Sequence, residues 1–206
     1  MRRRINMRKK SNLIYQFKIT LKDIKPTIWR RIQVPKTYTF WELHVAIQDA
    51  MGWYDCHLHE FKLINPLTDT EINIGIPDEE YEDYEVLPSW KQKIANYFIL
   101  ENQGVNYIYD FGDYWKHRIT LEKMLPREKN ITYPRCIEGR RACPPEDCGG
   151  PDNYNDFLES IRNPNDEQHE EMLEWVGGEF DSEHFDPNEV TFDNPAERFK
   201  IAFGKK

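Results

Sequence analysis

Apolar and polar residues alternate along the first third of the chain in a way that predicts strands. Residues 13–21 place four large side chains on one face of a half-buried strand: Tyr15, Phe17, Ile19 and Leu21. Residues 28–34 alternate in the same way beyond Pro26, so the two segments are expected to pair as antiparallel strands. Residues 57–64 and 71–76 are predicted to form two more strands.

Apolar residues spaced three or four positions apart predict helices. Thr39 and Glu42 have the spacing of a capping box, so a helix is expected over residues 40–51, with Gly52 as its C-terminal cap. The pattern over residues 90–100 is ambiguous, and we interpret it as helical.

Loops are predicted where Pro, Gly and acidic residues concentrate. Residues 77–88 are acidic and flanked by prolines, and the chain becomes rich in loops again after Pro126. Beyond that point three short helices are expected, around residues 154–161, over 166–176 and from Pro195, which suits the first position of a helix.

Residues 105–122 are predicted to form a β-hairpin around Gly112-Asp113, because Gly at the first turn position suits a type II′ turn. Pairing Phe111 with Tyr114 then puts these residues on one face: Ile108, Asp110, Trp115, His117, Ile119 and Leu121. The other face carries aromatic and basic side chains: Tyr107, Tyr109, Phe111, Tyr114, Lys116 and Arg118. A four-residue loop that pairs Tyr109 with Tyr114 gives the same two sets.

Together these patterns predict an α+β fold class. We expect a single domain over residues 13–206, with a mainly antiparallel sheet, packed helices and a loop-rich, acidic, partly helical C-terminal part. Aromatic residues make up 14% of the 206 residues, which argues against a disordered chain. No apolar run approaches 18 residues, so no membrane association through a spanning segment is expected.

Charge is distributed unevenly along the chain. Residues 1–10 carry six basic and no acidic residues, whereas the other 196 residues carry 22 basic and 36 acidic ones. An acidic body repels phosphate, so broad binding of nucleic acid is not expected. We interpret residues 1–12 as a disordered basic arm, and weak contact between this arm and a nucleic acid is the partner interaction that the charge pattern allows.

The basic start of the chain is not followed by the apolar segment of a secretory signal, so we expect a cytoplasmic protein with reduced cysteines. Cys136, Cys143 and Cys148 lack the CxxC spacing of structural zinc sites. Burial of these cysteines is therefore favoured, and zinc ligation is the alternative.

Two histidines are candidates for a metal site. His57 and His59 lie two residues apart on a predicted strand, so both imidazoles are expected to face one way and to ligate one divalent metal such as zinc. The alternative is an ordinary pair of polar residues on an exposed face.

Two further pairs of polar residues are candidates for catalysis. Asp110 and His117 are predicted to share the apolar face of the hairpin, about 7 Å apart on the diagonal, as a catalytic, metal-orienting or purely structural pair. Glu146 and Asp147 lie between Pro-Pro and Gly-Gly, which indicates either a stiff loop that presents an acid or a tight turn.

Two motif matches are rejected. Asp110-Phe111-Gly112 matches the magnesium motif of protein kinases, but the other kinase motifs are missing. The G-x-S-x-G motif of serine hydrolases is absent.

Several short segments together resemble the plasmid pRiA4b ORF-3-like family. They are residues 26–31, 43–48, 51–53, 57–61, 109–117, 136–139 and 144–150, and Tyr154. The resemblance extends from about residue 15 to residue 203 and implies a single α+β domain. It brings no established activity, although some relatives lie on plasmids or insertion elements and carry a resolvase label. The nucleophilic serine and surrounding arginines of a serine recombinase are not matched here.

The motifs of this resemblance coincide with the polar residues selected above, which adds weight to one site formed by His57, His59, Asp110, Asp113, His117, Glu146 and Asp147. Three hypotheses follow. The first is an accessory or binding protein of mobile elements, whose ligand-binding residues stack bases and contact phosphate: Tyr107, Tyr109, Lys116 and Arg118.

The second hypothesis is a metal-dependent, hydrolase-like enzyme. Its metal ligands are His57, His59 and Asp113, and its catalytic residues are Asp110, His117, Glu146 and Asp147, with Glu146 as the general base. The third hypothesis is an internal hydrogen-bonded network that only specifies the fold.

Overall fold

Residues 12–77 and 85–204 are described by a computed structural model of the protein. The predicted basic arm therefore lies, apart from residue 12, outside the described residues. Within the described ranges the strands are β1 (Leu13–Leu21), β2 (Trp29–Pro35), β3 (His59–Ile64), β4 (Glu71–Gly75), β5 (Val86–Pro88), β6 (Gly104–Tyr109), β7 (Trp115–Pro126) and β8 (Arg135–Arg140). The α-helices are α1 (Phe40–Met51), α2 (Gly150–Arg162), α3 (His169–Val176) and α4 (Pro195–Phe203).

The strands form one sheet in the order β5-β4-β3-β6-β7-β1-β2-β8. Neighbouring strands are antiparallel except for the β4–β5 pair, which is parallel. The predicted pairing of β1 with β2 is confirmed, with Tyr15 opposite Val34. The sheet and the helices confirm the predicted α+β class.

Helix α1 begins and ends as its sequence predicts. The Thr39 hydroxyl accepts a hydrogen bond from the Glu42 amide, and the Glu42 carboxylate accepts one from the Thr39 amide, so the capping box is confirmed. Gly52 adopts the left-handed conformation of a C-terminal cap, with φ of 90°. Ten of the twelve residues of α1 are buried, including His44 and Gln48.

Edge-to-face aromatic contacts fill the core between α1 and the sheet. The rings of Phe17 and Phe98 lie 4.7 Å apart, and those of Phe40 and Phe61 lie 4.9 Å apart. Such pairs bury large apolar areas and add a favourable ring–ring interaction. Phe98 belongs to residues 90–100, where the predicted helix is wrong except for one 3₁₀ turn at Ile94–Asn96. That segment instead bonds to the chain before α1, with the Ile94 amide donating to the Tyr38 carbonyl.

The sequence pattern did not predict β5 or β8. Strand β5 has only three residues, and its alternation is too short to recognise. Strand β8 lies at the edge of the sheet, and its side chains are half-buried or exposed, so it lacks a clear apolar face.

The predicted register of the central hairpin was wrong. Tyr109 pairs with Trp115 and Tyr107 pairs with His117, so the loop contains five residues, 110–114. A shift of one residue exchanges the two faces of a strand. Tyr107 and Tyr109 consequently lie in the core beside Trp115 and His117, all four at most 1% exposed, and Asp110 lies in the loop.

A chain of hydrogen bonds satisfies the polar side chains that α1 buries. Gln48 Nε2 donates to the Tyr107 hydroxyl (2.9 Å), which lies 2.8 Å from His44 Nδ1. His44 Nε2 lies 2.7 Å from Asp55 Oδ1. Because Asp55 accepts the Nε2 proton, Nδ1 of a neutral His44 accepts the proton of Tyr107, and the network is consistent in its polarity. Burial lowers the pKa of His44 well below its usual value and raises that of Asp55 to about 6.

His59 and His117 are the other histidines buried in this region. The His59 ring stacks on the His44 ring with centroids 3.5 Å apart. His117 Nδ1 lies 3.1 Å from the Trp115 carbonyl oxygen, and burial lowers the pKa of His117 to about 3.

We predict that His117 makes the protein less stable in mild acid. Its folded pKa lies below the unfolded value of about 6.5, so the unfolded state binds more protons as the pH falls below 6.5. The contribution of His117 is complete above pH 6.5 and is lost progressively as the pH falls towards 3. Urea unfolding of His117→Gln between pH 6.5 and 4.5 should therefore show a loss of stability about 2 kcal/mol smaller than in the unmodified protein.

His184→Gln is the matched control, because that imidazole is exposed and pairs only with Glu189 among the described residues. This control should lose at least as much stability in acid as the unmodified protein, because the hydrogen bond to Glu189 raises the pKa of His184. A His117→Gln protein that loses as much stability as the control between pH 6.5 and 4.5 would contradict the assignment.

Candidate metal centre

Three loops meet at one end of the sheet and are tied to one another in pairs. They are residues 53–58 after α1, the hairpin loop 110–114, and residues 141–149 before α2. Trp53 Nε1 donates to the Pro144 carbonyl (2.9 Å), and the Asp110 amide donates to the Leu58 carbonyl (2.9 Å). The Gly149 amide donates to Asp113 Oδ2 (3.1 Å) and joins the remaining pair.

One side chain from each loop converges on a common point. His57 Nε2 lies 2.8 Å from Asp147 Oδ1 and 3.7 Å from Asp110 Oδ2. One nitrogen and two carboxylate oxygens thus lie within 4.8 Å of one another. Imidazole nitrogen and carboxylate oxygen are both common zinc ligands, and three protein ligands leave a position for water or substrate.

The three side chains differ in how far they are exposed to solvent. The side chain of Asp110 is 10% exposed, that of His57 is 32% exposed and that of Asp147 is 66% exposed. A ligand therefore reaches this point from the Asp147 side. Asp110 Oδ1 accepts a hydrogen bond from the Gly112 amide (2.8 Å), which leaves Oδ2 facing His57.

Both aspartates adopt a left-handed backbone conformation, with φ of 56° at Asp110 and 62° at Asp147. Residues other than Gly rarely take this conformation, although Asp tolerates it better than most. Seven other described residues besides Gly share this conformation, so it marks the tight turns of these loops.

Glu146 connects its own loop to the loop after α1 and to the last residue of β6. Its Oε2 accepts a hydrogen bond from the Tyr54 amide (2.7 Å), and its Oε1 accepts from the Cys56 amide (3.4 Å) and from the Tyr109 hydroxyl. The Tyr109 hydroxyl also accepts from the Cys56 amide (3.0 Å). Burial, followed by the bond to Glu146, raises the pKa of Tyr109 above its usual value.

Three residues of this network directly precede the three converging residues. Cys56 precedes His57, Tyr109 precedes Asp110, and Glu146 precedes Asp147. Hydrogen bonds at this position are suited to orienting metal ligands. Because Glu146 accepts three hydrogen bonds, its carboxylate is better placed to position the loops than to act as a base.

Several residues predicted for the site do not belong to the group of three converging side chains. His59 is buried against His44, and neither of its ring nitrogens has a hydrogen-bond partner among the described residues. Asp113 supports the loop through Gly149. The predicted Asp110–His117 pair was wrong, because the corrected register takes His117 into the core and leaves Asp110 facing His57.

The predicted aromatic and basic face was also wrong. Tyr107 and Tyr109 are buried in the core, so their rings are closed to nucleobases. Lys116 and Arg118 point the other way and are exposed, with Lys116 Nζ 3.7 Å from Asp23 and Arg118 bonded to Asn106 (3.0 Å).

The cysteines do not add a second centre in the described part of the chain. All four are free, and Cys136, Cys143 and Cys148 do not meet in a group of three metal-ligating atoms. Among the described helices, none has both the length and the apolar composition needed to cross a membrane.

Glu146 and Tyr109 were selected from the sequence as catalytic and ligand-binding candidates, but their supporting role could not have been recognised from local patterns. Tyr109 and Glu146 are 37 positions apart, and the Tyr54 and Cys56 amides carry no side-chain signal. The one available indication was the coincidence of short motifs around residues 57, 110 and 147.

The chain is similar to known proteins over the region that contains this site. A family model described as plasmid pRiA4b ORF-3-like protein matches residues 13–189, which include His57, Asp110 and Asp147. The chain is 36% identical over 173 residues to the uncharacterized protein y4hQ of Sinorhizobium fredii strain NGR234, and the match covers 82% of this chain and 84% of that protein.

The fold is similar to the crystal structure of MM3350, a protein of unknown function from Methanosarcina mazei Go1. The two chains are 44% identical with a TM-score of 0.81, and the match covers 87% of this chain and 98% of the other. With the family model spanning most of the chain, the protein belongs to the plasmid pRiA4b ORF-3-like family.

Proposed function

We propose that the protein binds one divalent metal ion, preferably zinc, through His57, Asp110 and Asp147, and that it is a metal-dependent hydrolase. The observation that carries the proposal is the convergence of one imidazole nitrogen and two carboxylate oxygens from three separate loops. Carboxylates at such a distance repel one another unless a cation or a proton lies between them.

Charge and coordination number favour hydrolytic chemistry at this ion. Two carboxylates neutralise a divalent cation, and three protein ligands leave an open position on the exposed side beside Asp147. Water bound at such a position has a lowered pKa and is a nucleophile near neutral pH.

Apolar side chains in the two loops that carry His57 and Asp110 favour a substrate with an apolar portion. Four of them are partly or largely exposed: Tyr54, Leu58, Phe111 and Tyr114. Exposed apolar groups around a polar centre are typical of ligand-binding sites.

The accessory role on plasmids or mobile elements remains an expectation from the family resemblance. Its nucleic-acid form loses support, because stacking would require Tyr107 and Tyr109 to be exposed. A contribution from the basic arm stays a prediction, since residues 1–11 lie outside the described residues.

We predict about one bound Zn²⁺ per chain in protein purified without chelator. Metal content is measured by plasma mass spectrometry, and the affinity by calorimetric titration of the apoprotein with ZnCl₂. His57→Ala and Asp147→Asn each remove one ligand and should weaken binding at least about tenfold.

His184→Ala serves as the control for this titration. It removes an exposed imidazole that lies 2.7 Å from a carboxylate, Glu189, and is not one of the three converging residues. Equal affinity in His57→Ala, His184→Ala and the unmodified protein would contradict the metal site and favour a structural role for the three residues.

Glu146→Gln should weaken zinc binding about 10- to 100-fold without removing a ligand, because it disturbs the hydrogen bonds that position the residues next to the three proposed ligands. Tyr109→Phe removes only the hydroxyl and should act in the same direction. The control is Glu128→Gln, which alters an exposed carboxylate paired with Arg135. If Glu146→Gln lowers the melting temperature but binds zinc as tightly as the control, Glu146 supports the fold alone.

Hydrolysis is tested with p-nitrophenyl esters and phosphate esters on zinc-loaded protein. We expect turnover of at least one class that is lost on chelation, restored by Zn²⁺ and absent from Asp147→Asn. Stoichiometric zinc binding with no turnover above the variant would support a metal-binding protein without this activity.

A further inference from the structure

Helix α4 differs from the rest of the fold in how it is attached. None of its residues is fully buried, and it begins after residue 189, where the match to the family model ends. The chain from Gly177 to Asn194 that leads to it is irregular. A helix attached in this way depends on the contacts that its own side chains make.

Two aromatic residues of α4 pack against two tryptophans. The Phe199 ring lies 5.5 Å from both Trp41 and Trp90, and the Phe203 ring lies 5.4 Å from Trp41 and 5.1 Å from Trp90. Phe199 and Phe203 are four residues apart, so they project from the same face of the helix. The indole nitrogen of Trp41 donates to the Pro195 carbonyl (2.9 Å) and aligns the start of α4.

One cation of α4 faces a group of buried acids. Arg198 Nη2 lies 2.8 Å from Asp49 Oδ1, and Arg198 Nη1 lies 3.7 Å from Asp55 Oδ2. The side chains of Asp49 and Asp55 are only 5% and 8% exposed. Asp193, just before the helix, pairs with the same guanidinium. Planar guanidinium groups suit such sites because they bind carboxylates with several directed hydrogen bonds.

The surface beneath α4 therefore offers two kinds of contact, aromatic stacking and ion pairing. Trp41 and Trp90 supply aromatic faces, and Asp49 and Asp55 supply negative charge. We define these four residues as the tryptophan–aspartate groove. His44 of the core holds two of these residues in place, because its ring lies 5.3 Å from the Trp41 ring and its Nε2 bonds to Asp55.

We propose that the tryptophan–aspartate groove is a recognition site for a short basic and aromatic helix with the pattern Arg-Phe-x-x-x-Phe, and that α4 is its internal, exchangeable occupant. The partner is a helical peptide segment of that chemistry, which competes with α4 for the groove. Charge complementarity carries this choice, since the carboxylates of Asp49 and Asp55 both face one guanidinium, and an acidic or neutral segment would leave the negative charge of Asp49 without a cation. The proposal does not rest on the metal centre.

A labelled peptide tests the proposal on the full chain. The probe is fluorescein-labelled peptide of residues 193–204, added to the protein in trans and followed by fluorescence anisotropy. In the unmodified protein α4 competes with the probe and lowers its apparent affinity in proportion to the fraction of open groove. The double variant Arg198→Ala/Phe199→Ala weakens the internal occupant and should bind the probe at least about tenfold more tightly.

The matched control alters the outer face of the same helix. Lys200→Ala/Ile201→Ala changes a lysine that pairs with Glu197 and an isoleucine that is 85% exposed. This control should bind the probe as weakly as the unmodified protein. A probe with Arg198, Phe199 and Phe203 all replaced by Ala should not bind the loosened variant.

The proposal is overturned if the loosened variant, folded by near-ultraviolet circular dichroism, binds the probe no better than the control. Hydrogen exchange on the unmodified protein decides the matter if that variant does not fold. The amides of α4 should then exchange at least about a hundredfold faster than those of α1, through local opening. Equal protection of α4 and α1 would show that α4 is a fixed part of the fold.

Discussion

A helix that is buried on almost every side must satisfy its polar side chains inside the protein, and α1 is such a helix. Its His44 and Gln48 do so through Tyr107 on β6 and Asp55 after the helix. An unpaired polar group in this position would cost free energy, so these bonds hold the sheet and residues 52–58 against α1. The loop that follows α1 is fixed at both ends as a result, by Asp55 and by the pairing of β3.

The candidate metal centre depends on that loop. His57 belongs to it, and the other proposed ligands reach His57 only because the hairpin loop and the loop before α2 are tied to the same segment. Glu146, in the loop before α2, accepts bonds from the loop after α1 and from Tyr109, the residue that precedes the hairpin loop. Preorganised ligands of this kind avoid a large loss of loop entropy when a cation binds.

The same loop faces the tryptophan–aspartate groove on its other side. Asp55 bonds to His44 and lies near Arg198 of α4, while His57, two residues later, belongs to the candidate metal centre. The two proposed sites thus share a structural support, although their chemistry is separate. One is an open position for a cation, and the other is a groove for a cationic and aromatic helix.

Two errors in the sequence interpretation have the same physical origin. The hairpin was assigned a turn that suits Gly112-Asp113, whereas Asp110 and Tyr114 take left-handed conformations and lengthen the loop to five residues. The helix expected over residues 90–100 does not form, because its backbone bonds to the chain before α1. In both segments local propensity is weaker than the packing of Tyr107, Tyr109 and Phe98 in the core.

Local patterns were sufficient for β1, β2, α1 and its caps, and for the α+β class, because alternation, helical spacing and capping chemistry act over a few residues. They were also sufficient to select His57, Asp110 and Asp147 as polar residues of interest. Only the tertiary structure decided that these three meet while His59, Asp113 and His117 do not, and that Tyr109 and Glu146 support them. The reason is that convergence depends on strand register and on hydrogen bonds between loops up to 92 positions apart, which no local pattern records.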